Sequence, residues 1–170
     1  MFNEHNYTTG CADLLVRSDY INQLISNPAL KKEEIEINAP LLKKYHYRVI
    51  DIKWTTLPFY AKATNLKNSG SSMAAYKGQL AIYNCALGNI QGYFPTKAYL
   101  FGKAFERQEN GEKVKVCTGF DSLGTIDYQA KDTKYISQTA EGIKWYRDVC
   151  ANGNKWNLLS DPTKQDKKLF

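Results

Sequence analysis

The chain has 170 residues, 43% of them hydrophobic and 13% aromatic, with a formal net charge of +6. That length suits one domain with a real core, and twelve tyrosines exclude a disordered or low-complexity chain. The basic balance suits a polyanionic partner, nucleic acid before an anionic membrane. The polar start, Met1-Phe2-Asn3-Glu4-His5-Asn6, has no apolar secretion signal, and no run approaches the ~18 apolar residues of a membrane span. Cys11, Cys85, Cys117 and Cys150 form no C-x-x-C pair, and His5 and His46 are the only histidines, which argues against structural zinc. Widely spaced cysteines without a leader predict reduced thiols in an intracellular protein of the cytoplasm or nucleus, with no membrane association.

Residues 1–10 are polar and close on Gly10. Cys11 to Arg17 reads as a strand with an acid, Asp13, inside an apolar run, and Arg17 on the same face is its local partner. Ser18-Asp19 predicts a cap for a short helix through Ile25, stopped by Asn27-Pro28. Residues 29–46 are charged and irregular, with a weak strand near Ile35-Glu36-Ile37.

Tyr47 to Trp54 is the key strand, rich in aromatic and β-branched residues. Alternation puts Ile50, Ile52 and Trp54 on one face and Val49, Asp51 and Lys53 on the other. A carboxylate buried there needs a partner, since burial alone costs several kcal/mol. Lys53 supplies one as a local ion pair; a metal ion, with Lys53 aimed at the same reacting centre, is the sharper reading. Pro58 closes the strand, and residues 60–72, with Lys62, Lys67 and Ser69-Gly70-Ser71-Ser72, read as a flexible loop beside the site.

Residues 73–87 form the best helix. Ser71 or Ser72 caps it and Gly88-Asn89 ends it. Tyr76, Leu80, Tyr83 and Leu87 make one apolar stripe, and Gln79 lies four residues before Tyr83. Without further context Tyr83 reads equally as core. Thr96 to Gly102 reads as a strand, Asn110-Gly111 as a hairpin turn with a return strand near 114–117, and Leu123 to Tyr128 as another strand with a rival acid, Asp127. Asp132-Thr133 caps a last helix near 133–149, with Ile136, Ala140, Ile143 and Tyr146 or Arg147 on one face; Asn152-Gly153 ends it. The domain therefore spans 1–153, with 154–170 as a polar tail or the start of a further segment.

Two acids on adjacent strands, Asp13 and Asp51, can meet at one end of a sheet. Hard oxygen ligands of this kind suit Mg²⁺ or Mn²⁺, which polarises a phosphoryl oxygen and lowers the pKa of bound water. Lys53 beside it can orient that water or stabilise charge on the phosphorus. Gln79, Tyr83, Lys62, Lys67 and Lys77 are the candidate nucleic-acid contacts.

Ala12-Asp13-Leu14-Leu15, Ile50-Asp51-Ile52-Lys53 and Gln79-Leu80-Ala81-Ile82-Tyr83 occur in an order that resembles the PD-(D/E)XK nuclease superfamily, in its RecB-like branch with a Q-x-x-x-Y helix. Gly92-Tyr93-Phe94-Pro95 ahead of a strand is also typical. The stretch from Ala12 to Tyr99 is similar to nuclease-like proteins of large DNA viruses. The resemblance implies an α/β core, residues 10–102, with a central mixed sheet flanked by helices. It implies Asp13, Asp51 and the backbone carbonyl of Ile52 as metal ligands, Lys53 as catalytic lysine, and Gln79 and Tyr83 at the nucleic acid or supporting the site. The family core opens with a helix before the first acidic strand; residues 1–9 are too short and polar to supply it, no proline precedes Asp13, and His5 poorly replaces the branch's upstream histidine. A fragment whose first helix is lost or replaced would fit this pattern.

The leading expectation is thus a Mg²⁺-dependent nuclease hydrolysing DNA, with RNA as the other polyanion to consider. A second is a nucleic-acid-binding module keeping the fold without catalysis. A third is a structural or protein-interaction domain, in which Asp51–Lys53 and Asp13–Arg17 are local pairs and Tyr45, Tyr60 and Tyr135 face a partner.

Overall fold

The computed structural model describes residues 1–3, 8–61, 63–68 and 71–156. His5, Lys62 and the tail from residue 157 lie outside that set. The chain divides into two compact units, Met1–Thr139 and Ala140–Phe170. The division falls inside the last helix rather than at the end of it.

The first unit is an α/β fold built on a mixed central sheet. β1 (Phe2–Asn3) and β2 (Thr8–Thr9) form a short antiparallel ribbon. β3 (Leu14–Arg17) pairs antiparallel with β4 (Tyr47–Pro58), which pairs in parallel with β5 (Lys97–Glu109). α2 (Ser71–Gln91) supplies the crossover between these parallel strands. The free edge of β5 is shared: its first half pairs with β7 (Gly124–Asp127) and its second half with β6 (Glu112–Thr118). One apolar layer lies on the α2 side, with Val49, Leu80, Leu87, Leu100 and Phe105 buried together. A smaller cluster of Ile21, Ile50, Tyr99 and Leu123 covers the other face.

Several expected elements hold for the reasons given. β4 extends as far as Pro58. The hairpin turn between β5 and β6 has Asn110 at φ 49° and Gly111 at φ 87°, the paired left-handed conformations that make Asn-Gly a tight turn. Other elements shift, and side-chain competition explains each shift. From Ser18 to Ile25 a single 3₁₀ turn forms, Ile21–Gln23, in place of the expected helix. Its expected caps are engaged elsewhere. Asp19 accepts two bonds from Arg17 at 2.6 and 2.9 Å, and the Ser18 hydroxyl donates to the Ile35 carbonyl at 2.8 Å. The weak strand near Ile35 is instead α1 (Lys32–Ile35), whose first turn closes as Glu34 accepts the Lys31 N–H at 3.1 Å. α2 runs past Gly88 to Gln91. Gly88 lacks a side chain because Phe94 packs on it, 2.3 Å from where a Cβ would stand. Gly92, at φ +69°, is the residue that ends the helix.

Gln91, fully buried at that helix end, ties α2 to the start of β4. Its carboxamide accepts the Tyr47 N–H at 2.8 Å and donates to the Tyr47 and Tyr93 carbonyls. The first turns of α3 (Lys134–Asn152) belong to the first unit as far as Thr139. There Tyr135 is buried and Ile136 is 45% exposed, so the inward stripe begins one residue earlier than the periodicity predicts, and Tyr135 is core rather than interface. In the second unit α3 ends at Asn152, followed by a 3₁₀ turn at Gly153–Lys155, and the Trp145 and Trp156 rings approach to 6.5 Å.

His46 and Arg48 are both fully buried next to this frame. Arg48 Nε donates to His46 Nε2 at 2.8 Å, which leaves the proton on Nδ1 to meet the Ile37 carbonyl at 2.9 Å. The imidazole must therefore be neutral. Burial pushes its pKa below the usual 6.5, and the neighbouring Arg48 charge adds to that. An unfolded chain takes up this proton below about pH 6.5 while the folded chain resists it. Stability from this site is thus complete above that pH and falls on acidification, by up to about 1.4 kcal/mol per pH unit. Denaturant midpoints between pH 7.5 and 5.5 should fall less steeply in His46→Gln than in the parent chain; equal slopes would contradict it.

Candidate active site

β3 and β4 bring the two acids together. Leu14 pairs with Ile50 in antiparallel register, so Asp13, one residue before β3, falls opposite Asp51. Where the β3 ladder stops, the Asp13 carboxylate continues it: Oδ2 accepts the Ile52 N–H at 2.7 Å. Asp13 therefore does not pair with Arg17, whose guanidinium is held by Asp19. A side chain locked onto the backbone of the opposite strand is pre-positioned beside Asp51.

Asp51 is 2% exposed, on the sheet face that α2 covers. Its Oδ2 lies 2.5 Å from Lys53 Nζ, an ion pair between residues two apart on one strand face. Oδ2 is buried, and Lys53 is the group that compensates it. Burial pushes the Asp51 carboxyl above its ordinary range; Lys53 opposes this and the adjacent Asp13 carboxylate adds to it. Two carboxylates and one ammonium leave this pocket short of positive charge.

α2 holds the lysine in place. Lys53 Nζ stands 4.6 Å above the Tyr76 ring and donates to Gln79 Oε1 at 3.3 Å. Gln79 Nε2 in turn donates to the Tyr83 hydroxyl at 3.1 Å, across one helical turn. The Q-x-x-x-Y residues therefore brace Lys53. Tyr83 is itself fixed from below: a Cβ on Gly10 would lie 2.4 Å from its ring, so the backbone leading to Asp13 rests directly on it. Gly10→Ala should displace that ring, with a stability loss of about 1–3 kcal/mol and a drop in whatever activity depends on Lys53. A melting temperature equal to the parent's would show that the contact does not matter.

The remaining candidates are placed differently. Lys77 is no surface contact: it is 1% exposed, and its Nζ donates to the Leu66 carbonyl and to Asp132 Oδ1, each at 2.6 Å. Its position on α2, one turn before Ala81 in the core, turns it inward, where only an acid can compensate the charge. Asp132 is thereby engaged with Lys77 and with the Asp127 N–H rather than capping α3. The Ile52 side chain is 45% exposed. Lys67 is half-buried on the loop before α2 and lines a cavity of about 420 Å³ with Thr55, Thr56, Tyr76, Arg107 and Lys113. Tyr76 and this cavity escaped the sequence reading. Tyr76 reads as one member of a core stripe, and the cavity depends on an irregularity in the β4–β5 register between Lys53 and Thr56, which no local pattern announces.

Among the described residues no three His, Cys, Asp or Glu side chains cluster as a metal cage. The donor set is smaller: the exposed Asp13 carboxylate and the buried Asp51 carboxylate, whose Oδ2 faces Lys53, with a net negative balance before Lys53 is counted. That set fits a hard divalent ion retaining most of its water, as Mg²⁺ does with one or two carboxylates. No disulfide joins Cys11, Cys85, Cys117 or Cys150, and among the described residues no helix is long and apolar enough to cross a membrane. The chain matches no family model, and comparison with curated proteins and with solved structures finds no match either.

Proposed function

We propose that this chain is a metal-dependent nuclease of the PD-(D/E)XK type, in the RecB-like branch, that hydrolyses phosphodiester bonds of DNA. The observation that carries the reading is the convergence of Asp13, just ahead of β3, and the buried Asp51 of β4 beside Lys53. Random burial of an acid in a strand would not also supply a second acid, a lysine and a helix that braces the lysine.

Asp13 and Asp51, with the Ile52 carbonyl, would hold Mg²⁺ or Mn²⁺. When bound, such an ion polarises a phosphoryl oxygen and makes its water more acidic. Asp13 and Asp51 orient the site and balance charge. Lys53, held over Tyr76 and by Gln79, directs its ammonium at the phosphate or the attacking water and stabilises negative charge that grows on the phosphoryl oxygens. A water oxygen bonds to phosphorus as one ester P–O bond breaks, the water loses a proton, and the leaving oxygen gains one. Cleavage of labelled single- and double-stranded DNA with Mg²⁺, Mn²⁺ or EDTA tests the reading. Cleavage with metal and none with EDTA supports it; cleavage that persists in EDTA overturns it.

A second reading, a nucleic-acid-binding module without catalysis, draws on one observation. The 2.5 Å Asp51–Lys53 contact already compensates both charges without a metal. It expects salt-sensitive binding and no turnover in either metal.

A further inference from the structure

The cavity beside Lys53 has a composition that neither core packing nor the metal site requires. It lies between the end of β4, the start of α2 and the β5–β6 hairpin, and holds about 420 Å³. Its floor is apolar, with Leu57 and Met73 at 1% and 2% exposure. Its rim is cationic and hydroxylated: Lys67, Arg107 and Lys113 with Thr55, Thr56 and Ser72. Lys113 is paired with Glu106 at 3.0 Å and Arg107 with Glu109, while Lys67 has no carboxylate partner among the described residues. Two carboxylates, Glu106 and Glu109, against three cations leave one positive charge in surplus, that of Lys67. The Lys113–Glu106 pair is weak, since the Lys113 side chain is 78% exposed. Tyr76 belongs both to this cavity and to the support of Lys53, so the cavity opens directly beside the candidate reacting centre.

An apolar floor under a cationic, hydroxyl-bearing rim matches a nucleotide: a flat base below, a phosphate above. The volume takes one nucleotide of one strand and is too small for a duplex. The β4 register shifts between Lys53 and Thr56, next to the Thr55 and Thr56 that line the rim.

We propose that this cavity is a subsite for one nucleotide of a single strand, its phosphate held by Lys67, Lys113 and Arg107, next to the nucleotide at Lys53. The assignment deepens the nuclease reading and rests on it for the direction of the strand, but the binding is independent of metal and of cleavage. Fluorescence anisotropy with a short labelled single-stranded oligonucleotide, in EDTA, measures it on the full chain, beside a duplex of the same length. The parent chain should prefer the single strand. The double variant Lys67→Glu/Lys113→Glu should bind at least about tenfold more weakly, with a shallower salt dependence. Lys31→Glu/Lys32→Glu, the same charge change on exposed residues of the α1 segment, should have a much smaller effect, and Lys67→Ala/Lys113→Ala an intermediate one. Equal losses in the two charge-reversal variants, preference for duplex, or no binding at all would each overturn the subsite.

The two proposals fail separately. Single-strand binding with this variant pattern, but no cleavage in Mg²⁺ or Mn²⁺, keeps the subsite and removes the nuclease. Metal-dependent cleavage with binding unaffected by Lys67→Glu/Lys113→Glu does the reverse.

Discussion

Asp51→Asn and Lys53→Met should each lower metal-dependent DNA cleavage by at least about a hundredfold, the usual loss when one charged group at a reacting phosphate is removed. The two act differently on stability, and the difference is diagnostic. Asp51 is buried, and Lys53 is the ion-pair partner that compensates it. Lys53→Met strands that carboxylate, so it should also destabilise the fold, whereas Asp51→Asn removes the charge that needs compensating. The double variant Asp51→Asn/Lys53→Met has no unpaired ion and should recover much of the stability lost in Lys53→Met while staying inactive. That split, stability restored and cleavage absent, separates a working site from a structural ion pair. Chain melting curves and cleavage rates on the same four proteins measure it. Cleavage that survives in either single variant would remove Asp51 and Lys53 from the mechanism.

Asp132→Ala should destabilise the first unit by about 3–5 kcal/mol, the range for breaking one side of a buried ion pair. Lys77 and Asp132 are each 1% exposed, and their contact is 2.6 Å. Both are also committed to the backbone. Lys77 donates to the Leu66 carbonyl, and Asp132 Oδ2 accepts the Asp127 N–H at 3.1 Å at the end of β7. The pair thus joins the loop before α2, α2 itself and the approach to α3. Burial lowers the Lys77 pKa, with Asp132 as the main opposing influence, so an Asp132→Ala protein holds a lysine with little reason to stay charged. Lys77→Met/Asp132→Leu, which removes both charges at similar volume, should recover most of the loss. Urea denaturation measures all three. A loss under about 1 kcal/mol for Asp132→Ala would mean that water reaches the pair.

These two clusters bear differently on what could be read in advance. Asp51 and Lys53 stand out because a strand alternates faces, and two charges on the apolar face of Tyr47–Pro58 break the pattern in full view. Asp13 stands out for the same reason, although its partner does not: the residue two or four positions away is a poor guide once a neighbouring strand offers a free N–H. Arg17 binds Asp19 and Asp13 binds Ile52, and only the β3–β4 register decides between them. A lysine on a helix is normally solvated, and the acid that holds Lys77 inward lies far along the chain at 132, where nothing local announces a pairing. Gly88 looks like a helix stop in the sequence because close packing against Phe94 and a left-handed cap both call for glycine. The φ of Gly92 distinguishes them.

By itself the sequence determined those features that depend on near neighbours. They are the β4 strand and its two faces, the long α2 helix with Gln79 and Tyr83 one turn apart, the Asn110-Gly111 turn, and the presence of an acid and a lysine together on β4. Backbone sterics and side-chain period act over a few residues, and a pattern can report them. Only the tertiary structure decided which of these charges meet, which lysine is buried and which lines a cavity, and where the β4 register shifts beside Thr55 and Thr56. Those outcomes follow from pairing register and from the need of each buried charge for a partner, wherever in the chain that partner lies.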